Sequence, residues 1–410
     1  MSEESIIYRL RGDKIIWVIV FLLSLISIAA VYSSSSAVAF MEKKTTLHFL
    51  FKQMRYVVFG LTALYICYKI PVKWFRGLAY LGMIVSIGLL LLTLLIGKNI
   101  NGAERWIVIF GMSFQPAEVA KIGTILYLAK VFEDCEFKTF REFMLLILIP
   151  VGAVVLLIMQ GSVSTALLFS VIAFILIMIS GIKTLYIFKS IPYILALAAV
   201  IFSLHLAFGM FPRISTATER VKTHIFGENK KKTEAMNAEE LQKLSDKTLQ
   251  EEMAKTAIGS SGIIGKGPGN STQRYVLPHP YSDFIFAIIV EEYGMLGGLF
   301  IILLYLWFLF RCFTLARACT KKFTGMAVLG LAILITMQAL LHILVNVNLI
   351  PVTGHTLPLI SLGGTSLVIM GGAFGIILSV SRTIEVGSQK KEAEVKQENS
   401  NETETPENNE

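Results

Sequence analysis

Charge is scarce in this chain: Asp, Glu, Lys and Arg together make up 16% of its 410 residues, against about a quarter in an ordinary soluble domain. Cysteine and histidine are few as well, at four and six. No Cys/His pairs fall at zinc-ligand spacing, which argues against a structural metal framework. Disulfides are expected only on the oxidising side of a membrane, which makes the placement of Cys67, Cys135, Cys312 and Cys319 a test of orientation. What fills the chain instead is apolar: 54% hydrophobic residues and a mean hydropathy of +0.67. These values describe a polytopic all-α membrane protein and leave too little polar chain for a large soluble catalytic domain.

Apolar runs predict ten membrane helices, near 15–34, 54–70, 77–97, 116–132, 143–160, 163–181, 190–211, 284–312, 324–349 and 365–382. The first is expected to stay as an anchor rather than be cleaved, because Ser33-Ser34-Ser35-Ser36 leads directly into further apolar sequence. With a cytoplasmic N-terminus at 1–14, eighteen Lys and Arg lie beside the membrane inside and six in the short outside loops. That asymmetry places both termini in the cytoplasm. The catalytic body is then 15–383, with 212–283 a long external loop in which 236–257 reads as a surface helix. All four cysteines fall at or near cytoplasmic helix ends, as this orientation requires. The net charge of +8 hides a tail over 385–410 with eight Glu against three Lys. Basic excess here follows the membrane, not nucleic acid, and the tail from 384 reads as disordered.

Polar residues concentrate in 100–121, 212–283 and 338–366, all on the outer side. In the first, Pro116 suits the opening position of a helix and Glu118 its third, where a carboxylate can cap free amides. Lys121 shares a face with Glu118, and a lysine one turn inside a membrane helix points to a polar cavity lined by the pair. Trp106 reads either as an interfacial anchor or as part of that site. The glycine-rich run Ile258–Ser271 reads as either a phosphate cradle or a tightly packed surface loop. It is not a Walker loop, since Gly267 follows Lys266 and Ser260 stands where the first glycine belongs. No nucleotide is therefore expected. Asp283 at the start of the eighth helix is either an N-cap or a carboxylate acting as base or cation ligand. Glu291 and Glu292 lie deeper and suggest pairing within the bundle. The irregular stretch Pro351–Thr365, broken by prolines and glycines, must be buried in protein or line a cavity, and His342 reads as a satisfied interhelical group.

These elements occur together as Gly102-Ala103-x-Arg105-Trp106, Gln115-Pro116-x-Glu118-x-x-Lys121, Ala257-Ile258-Gly259-Ser260-x-Gly262, Ser282-Asp283-Phe284-Ile285-Phe286 with Glu291-Glu292-x-Gly294, and Pro351-Val-Thr-Gly…Leu357-Pro358-x-Ile360-Ser361-x-Gly363-Gly364. In that order they resemble the SEDS family (FtsW/RodA) over nearly the whole chain. The resemblance implies the ten-helix SEDS fold and a peptidoglycan glycosyltransferase that polymerises lipid II at the outer face of the cytoplasmic membrane. It implies Asp283 as the catalytic carboxylate, acting directly or through a divalent cation such as Mg or Mn. Arg105, Lys121, Arg213, Arg220 and Lys222 become candidates for stabilising the pyrophosphate, and Trp106, Gln115, Glu118, Lys266, Gln273, Ser361 and Thr365 for binding substrate or lining the cavity.

One departure stands out. Where the family commonly has Pro-Asp-Leu-Gly-Thr-Ala, this chain has Gly161-Ser162-Val163-Ser164-Thr165-Ala166, and His355 replaces the usual apolar residue. The short N-terminus, Gly12-Asp13-Lys14 and the acidic tail resemble the division branch more than the elongation branch. A class B penicillin-binding transpeptidase is the partner that branch implies, alongside other division-site membrane proteins. A lipid II flippase and a noncatalytic scaffold are the competing readings.

Overall fold

The computed structural model describes residues 11–100, 103–109, 112–208, 215–216, 218, 220–222 and 238–403. Among the described residues the helices are, in chain order, α1 Lys14–Ser34, α2 Ser36–Met41, α3 Thr46–Lys69, α4 Val72–Gly77, α5 Ala79–Ile96, α6 Pro116–Asp134, α7 Phe140–Gly161, α8 Val163–Ile179, α9 Thr184–Phe208, α10 Ala238–Gly259, α11 Ile285–Arg317, α12 Lys322–Asn346 and α13 Thr365–Thr403. Seven of them are long and apolar enough to cross a membrane, α8 is apolar but shorter, and α3 and α6 carry more polar groups. Those ten overlap the ten expected spans, with α9 starting at Thr184 rather than at 190.

The bundle is built around α12, whose buried face packs on α6, α8, α11 and α13. Helices α3 and α13 make the closest seam. A Cβ on Gly371 would lie 2.2 Å from the Gly60 carbonyl and one on Gly375 2.3 Å from the Leu64 carbonyl. Without a hydrophobic drive between helices in lipid, such close backbone approach is how dispersion holds them together. In α7, Pro150 cannot donate to the Leu146 carbonyl, and residues Met144–Leu148 widen into a π turn. The freed Leu146 carbonyl accepts the Tyr127 hydroxyl at 2.7 Å, so no buried acceptor is left over.

Three features differ from the sequence expectation. Helix α3 starts at Thr46, eight residues before the predicted span at 54; His48, Lys52 and Gln53 interrupt the apolar run there, and Phe49 and Gln53 are its buried positions. The 98–114 segment forms a three-stranded antiparallel sheet, β1 Lys98–Ile100, β2 Ala103–Ile109 and β3 Met112–Phe114. The tail predicted as disordered from 384 continues α13 as helix to Thr403, while 404–410 lie outside the described residues. Its Lys, Glu, Gln and Ala are good helix formers, and extending an existing helix needs no new nucleus. The expected surface helix in the external loop is α10, with Ala254 and Ala257 buried against Leu277, Phe284, Ala287 and Ile288.

Candidate active site

Asp283 lies in a turn just before α11. The amides of Ser282 and Asp283 both donate to the His279 carbonyl, at 3.0 and 3.2 Å. The N-cap of α11 is Phe284, and its side chain makes no capping bond. The Asp283 carboxylate accepts from Ser282 Oγ at 3.1 Å. It borders a cavity of about 250 Å³ that also receives Trp106, Gln115, Glu118, Lys52, Tyr56, Thr165, His279 and His355. Burial pushes the neighbouring Tyr281 hydroxyl above the ordinary tyrosine range, with the charges of Glu42 and Asp283 adding to the effect. Tyr281 therefore stays a neutral donor at physiological pH.

On the α6 side, Lys121 Nζ meets Glu118 Oε1 at 2.8 Å with both side chains buried. Gln338 of α12 adds its amide to the other Glu118 oxygen at 3.4 Å. Pro116 takes the first turn of α6 as expected, but Glu118 turns its carboxylate into the bundle. The pair thereby neutralises itself at the cavity wall, and its cation is committed to Glu118.

Of the other candidates described, Trp106 lines this cavity, while Ser361, Thr365, Arg220 and Lys222 are not among its lining residues. Ser361 Oγ donates to the Ser282 carbonyl at 2.8 Å and accepts from the Leu357 amide at 2.8 Å. Thr365 Oγ1 donates to the Ser113 carbonyl at 2.7 Å, tying the sheet to the start of α13. Trp106 sits on β2, paired in register with Lys98. Arg105 is on the same strand, with its side chain outside what the structure describes, and Arg213 lies outside the described residues altogether. Arg220 donates to the Val352 carbonyl at 2.9 Å, and Lys222 is exposed.

Lys266 and Gln273 belong to a different arrangement. Lys266 Nζ lies 2.6 Å from the fully buried Glu291 carboxylate, which also accepts from Ser271 Oγ and from the amides of Thr272 and Gln273 at 3.1 and 3.2 Å. The glycine-rich loop thus takes the packed-surface reading. Its backbone inserts at a break in α11, where Gly294 has φ +72°. A Cβ on Gly294 would meet the Ile263 carbonyl at 2.1 Å, and one on Gly265 the Glu292 carbonyl at 2.3 Å. Glu292 itself accepts the Ser33 hydroxyl from α1.

Sequence reasoning passed over Lys52 and Tyr56, which reach the cavity from the first turns of α3. A usable signal was present: Phe49, Gln53, Val57 and Gly60 are buried at helical spacing, and Gln53 bonds to Ser27 of α1. At the departure noted above, Ser162 caps α8 by accepting from the Thr165 amide at 3.3 Å. An aspartate would serve the same N-cap, so the substitution preserves the helix start. Among the described residues, no group of three or more His, Cys, Asp or Glu is placed to hold a metal ion.

A sequence model for FtsW/RodA/SpoVE, described as cell cycle protein, matches residues 13–385. The chain is 30% identical to probable peptidoglycan glycosyltransferases FtsW of Thioalkalivibrio sulfidiphilus, over 380 residues, and of Bacillus subtilis, over 377 residues. In both comparisons 89% of this chain and 89% of the relative are covered. Among solved structures, a chain of a peptidoglycan synthase complex that coordinates polymerization and crosslinking is similar at 26% identity and TM-score 0.68, covering 91% of this chain and 98% of that one. The rod shape determining protein RodA of Thermus thermophilus is similar at 26% identity and TM-score 0.62, covering 90% of this chain and 97% of its own.

Proposed function

The chain belongs to the FtsW/RodA/SpoVE family of cell cycle proteins, and from that premise we propose that it is a peptidoglycan glycosyltransferase polymerising lipid II at the outer membrane face during septal wall synthesis. The observation that carries this reading is Asp283: a carboxylate just before α11 that borders one polar cavity together with Lys52, Trp106, Gln115 and Glu118. As general base it takes the proton of the acceptor sugar hydroxyl. The hydroxyl oxygen bonds to the anomeric carbon of the donor, whose bond to the lipid pyrophosphate breaks. The leaving group departs with its negative charge, and a cation beside it lowers the barrier.

Lys52 is the described cation on the cavity wall that is best placed for that role. Lys121 is engaged with Glu118, and Lys266 with Glu291. Arg105, Arg213, Arg220 and Lys222 remain proposals for the approach of the pyrophosphate from the external segment. A divalent cation fits if it uses Asp283 and takes its other ligands from pyrophosphate oxygens and water, as hard cations bind phosphate substrates. When bound, it would neutralise charge on the leaving group.

The orientation with both termini in the cytoplasm, placement at the septum, and pairing with a class B penicillin-binding transpeptidase and other division proteins belong to the same reading. Resemblance to a chain of a synthase complex that couples polymerization to crosslinking supports the transpeptidase partner. The test is to incubate purified wild type and Asp283→Asn, each with the cognate transpeptidase, with lipid II in the presence and absence of divalent cation, and to resolve glycan strands on gels. Strands from wild type and none from a normally melting Asp283→Asn support the reading. No strands from either would turn the assignment to a flippase or a scaffold.

A further inference from the structure

The segment bearing Asp283 is fastened through its backbone. Three successive carbonyls each accept from a different donor: Tyr281 from the Leu362 amide at 3.0 Å, Ser282 from Ser361 Oγ at 2.8 Å, and Asp283 from Asn346 Nδ2 at 3.1 Å. The first two donors lie in the irregular stretch between α12 and α13. The third is a side chain at the buried end of α12, with no exposed surface.

Asn346 does more than hold one carbonyl. Its Oδ1 accepts from the Ala287 amide at 3.0 Å, and its Nδ2 also donates to the His342 carbonyl at 2.8 Å. Ala287 is the third residue of α11, where the amide has no partner within its own helix. With Phe284 at the N-cap position, Asn346 supplies from another helix the bond a local cap would give. A primary amide has two donor hydrogens and one acceptor oxygen, and here all of these are used. An aspartate could not donate, and a leucine could do neither. One turn earlier on α12, His342 Nδ1 lies 2.7 Å from the carbonyl of His355, another residue lining the cavity. The same face of α12 therefore holds both the Asp283 turn and the His355 segment of the cavity lining.

Resting on the reading of Asp283 as the base, we propose that Asn346 is a positioning residue for that carboxylate. It touches no reacting atom. It sets where Asp283 stands by holding the peptide on its C-terminal side to α12 and to the first turn of α11. A misplacement of about 1 Å in a reacting group can lower a rate about a hundredfold. Loss of Asn346 should therefore fall on kcat, leaving substrate binding nearly untouched.

The experiment uses the full chain with its transpeptidase and compares wild type, Asn346→Leu, Asp283→Asn and the double variant. It follows glycan polymerisation from lipid II and amide hydrogen exchange over 279–290. Asn346→Ala, which keeps a strong helix former, takes the place of Asn346→Leu if the latter does not melt normally. The expected result is a fall in kcat of about 10–100-fold with KM for lipid II within about twofold, and faster exchange at Ala287. In the Asp283→Asn background, Asn346→Leu should produce no further loss, because it acts through that carboxylate. Normal kcat with unchanged exchange overturns the proposal, as does a full additional loss in the double variant. Full activity in Asp283→Asn, or no polymer from wild type, is instead a failure of the functional reading. Exchange at 283–287 then still decides whether Asn346 holds this turn, and unchanged exchange there rejects it.

Discussion

At the scale of single residues, the ion pair of Glu118 and Lys121 is the costliest feature to disturb. Both groups are out of water, so removing either partner strands a buried charge and costs about 3–5 kcal/mol. Lys121→Met should lower the melting temperature of the detergent-solubilised protein sharply, and adding Glu118→Gln should recover more than half of the loss. A surface pair, which contributes at most about 1 kcal/mol, would show neither effect. Ser162 poses the opposite case. If its task is to cap α8, Ser162→Asp should leave both melting temperature and glycan synthesis near wild type, and Ser162→Ala should cost about 1 kcal/mol. Loss of activity in Ser162→Asp would mean that the hydroxyl has a role beyond the cap. The place of Asp283 at the cavity was legible in the sequence, as a carboxylate at the outer entry of an apolar helix. The bond from the Ala287 amide to Asn346 was not legible, since Asn346 lies 59 positions away along the chain.

Among elements, the ten spans were readable because apolar length is a local property. What the composition hid is where polar residues lie inside the bundle rather than outside it. The first turns of α3 read as loop, yet Gln53 is fully buried there. Likewise β2 was hidden in a short run whose β-branched Ile107, Val108 and Ile109 resemble any apolar stretch. The glycine-rich loop and the break in α11 make one latch, and only the structure pairs them. Lys266 and Gly267 donate to the Glu291 and Glu292 carbonyls at 3.0 and 2.9 Å, while Met295 and Leu296 donate back to Gly262 and Ile263 at 3.1 and 3.3 Å. Because the atoms nearest a Cβ on Gly294 are all backbone, no side-chain rotation can accommodate one. Gly294→Ala should open the latch at a cost of at least about 2 kcal/mol, seen as faster amide exchange at Lys266, Gly267, Met295 and Leu296. Exchange unchanged from wild type would show that the loop is held by Glu291 alone.

For the molecule as a whole, the decisive property is sidedness, because the proposed reaction needs Asp283, the latch loop and the sheet on one face of the membrane and the basic helix ends on the other. Helix ends arrange themselves accordingly. Arg76 pairs with Glu133 between the ends of α4 and α6, and Arg311 with Asp13 between α11 and the start of α1. Both pairs lie at the end of the bundle away from the cavity. The glycine-rich loop offers a probe on the cavity side, since Ile264 is 80% exposed at its tip. A membrane-impermeant maleimide added to intact cells, after removal of any outer barrier, should label Ile264→Cys. It should leave Cys135 and Cys319 unlabelled until the membrane is permeabilised, and Cys312 unlabelled throughout because it is buried. Labelling of Cys319 in intact cells would invert the topology. Lys52 and Asp283 would then face the cytoplasm, and a polymerase using lipid II on the outer face could not be built from this cavity.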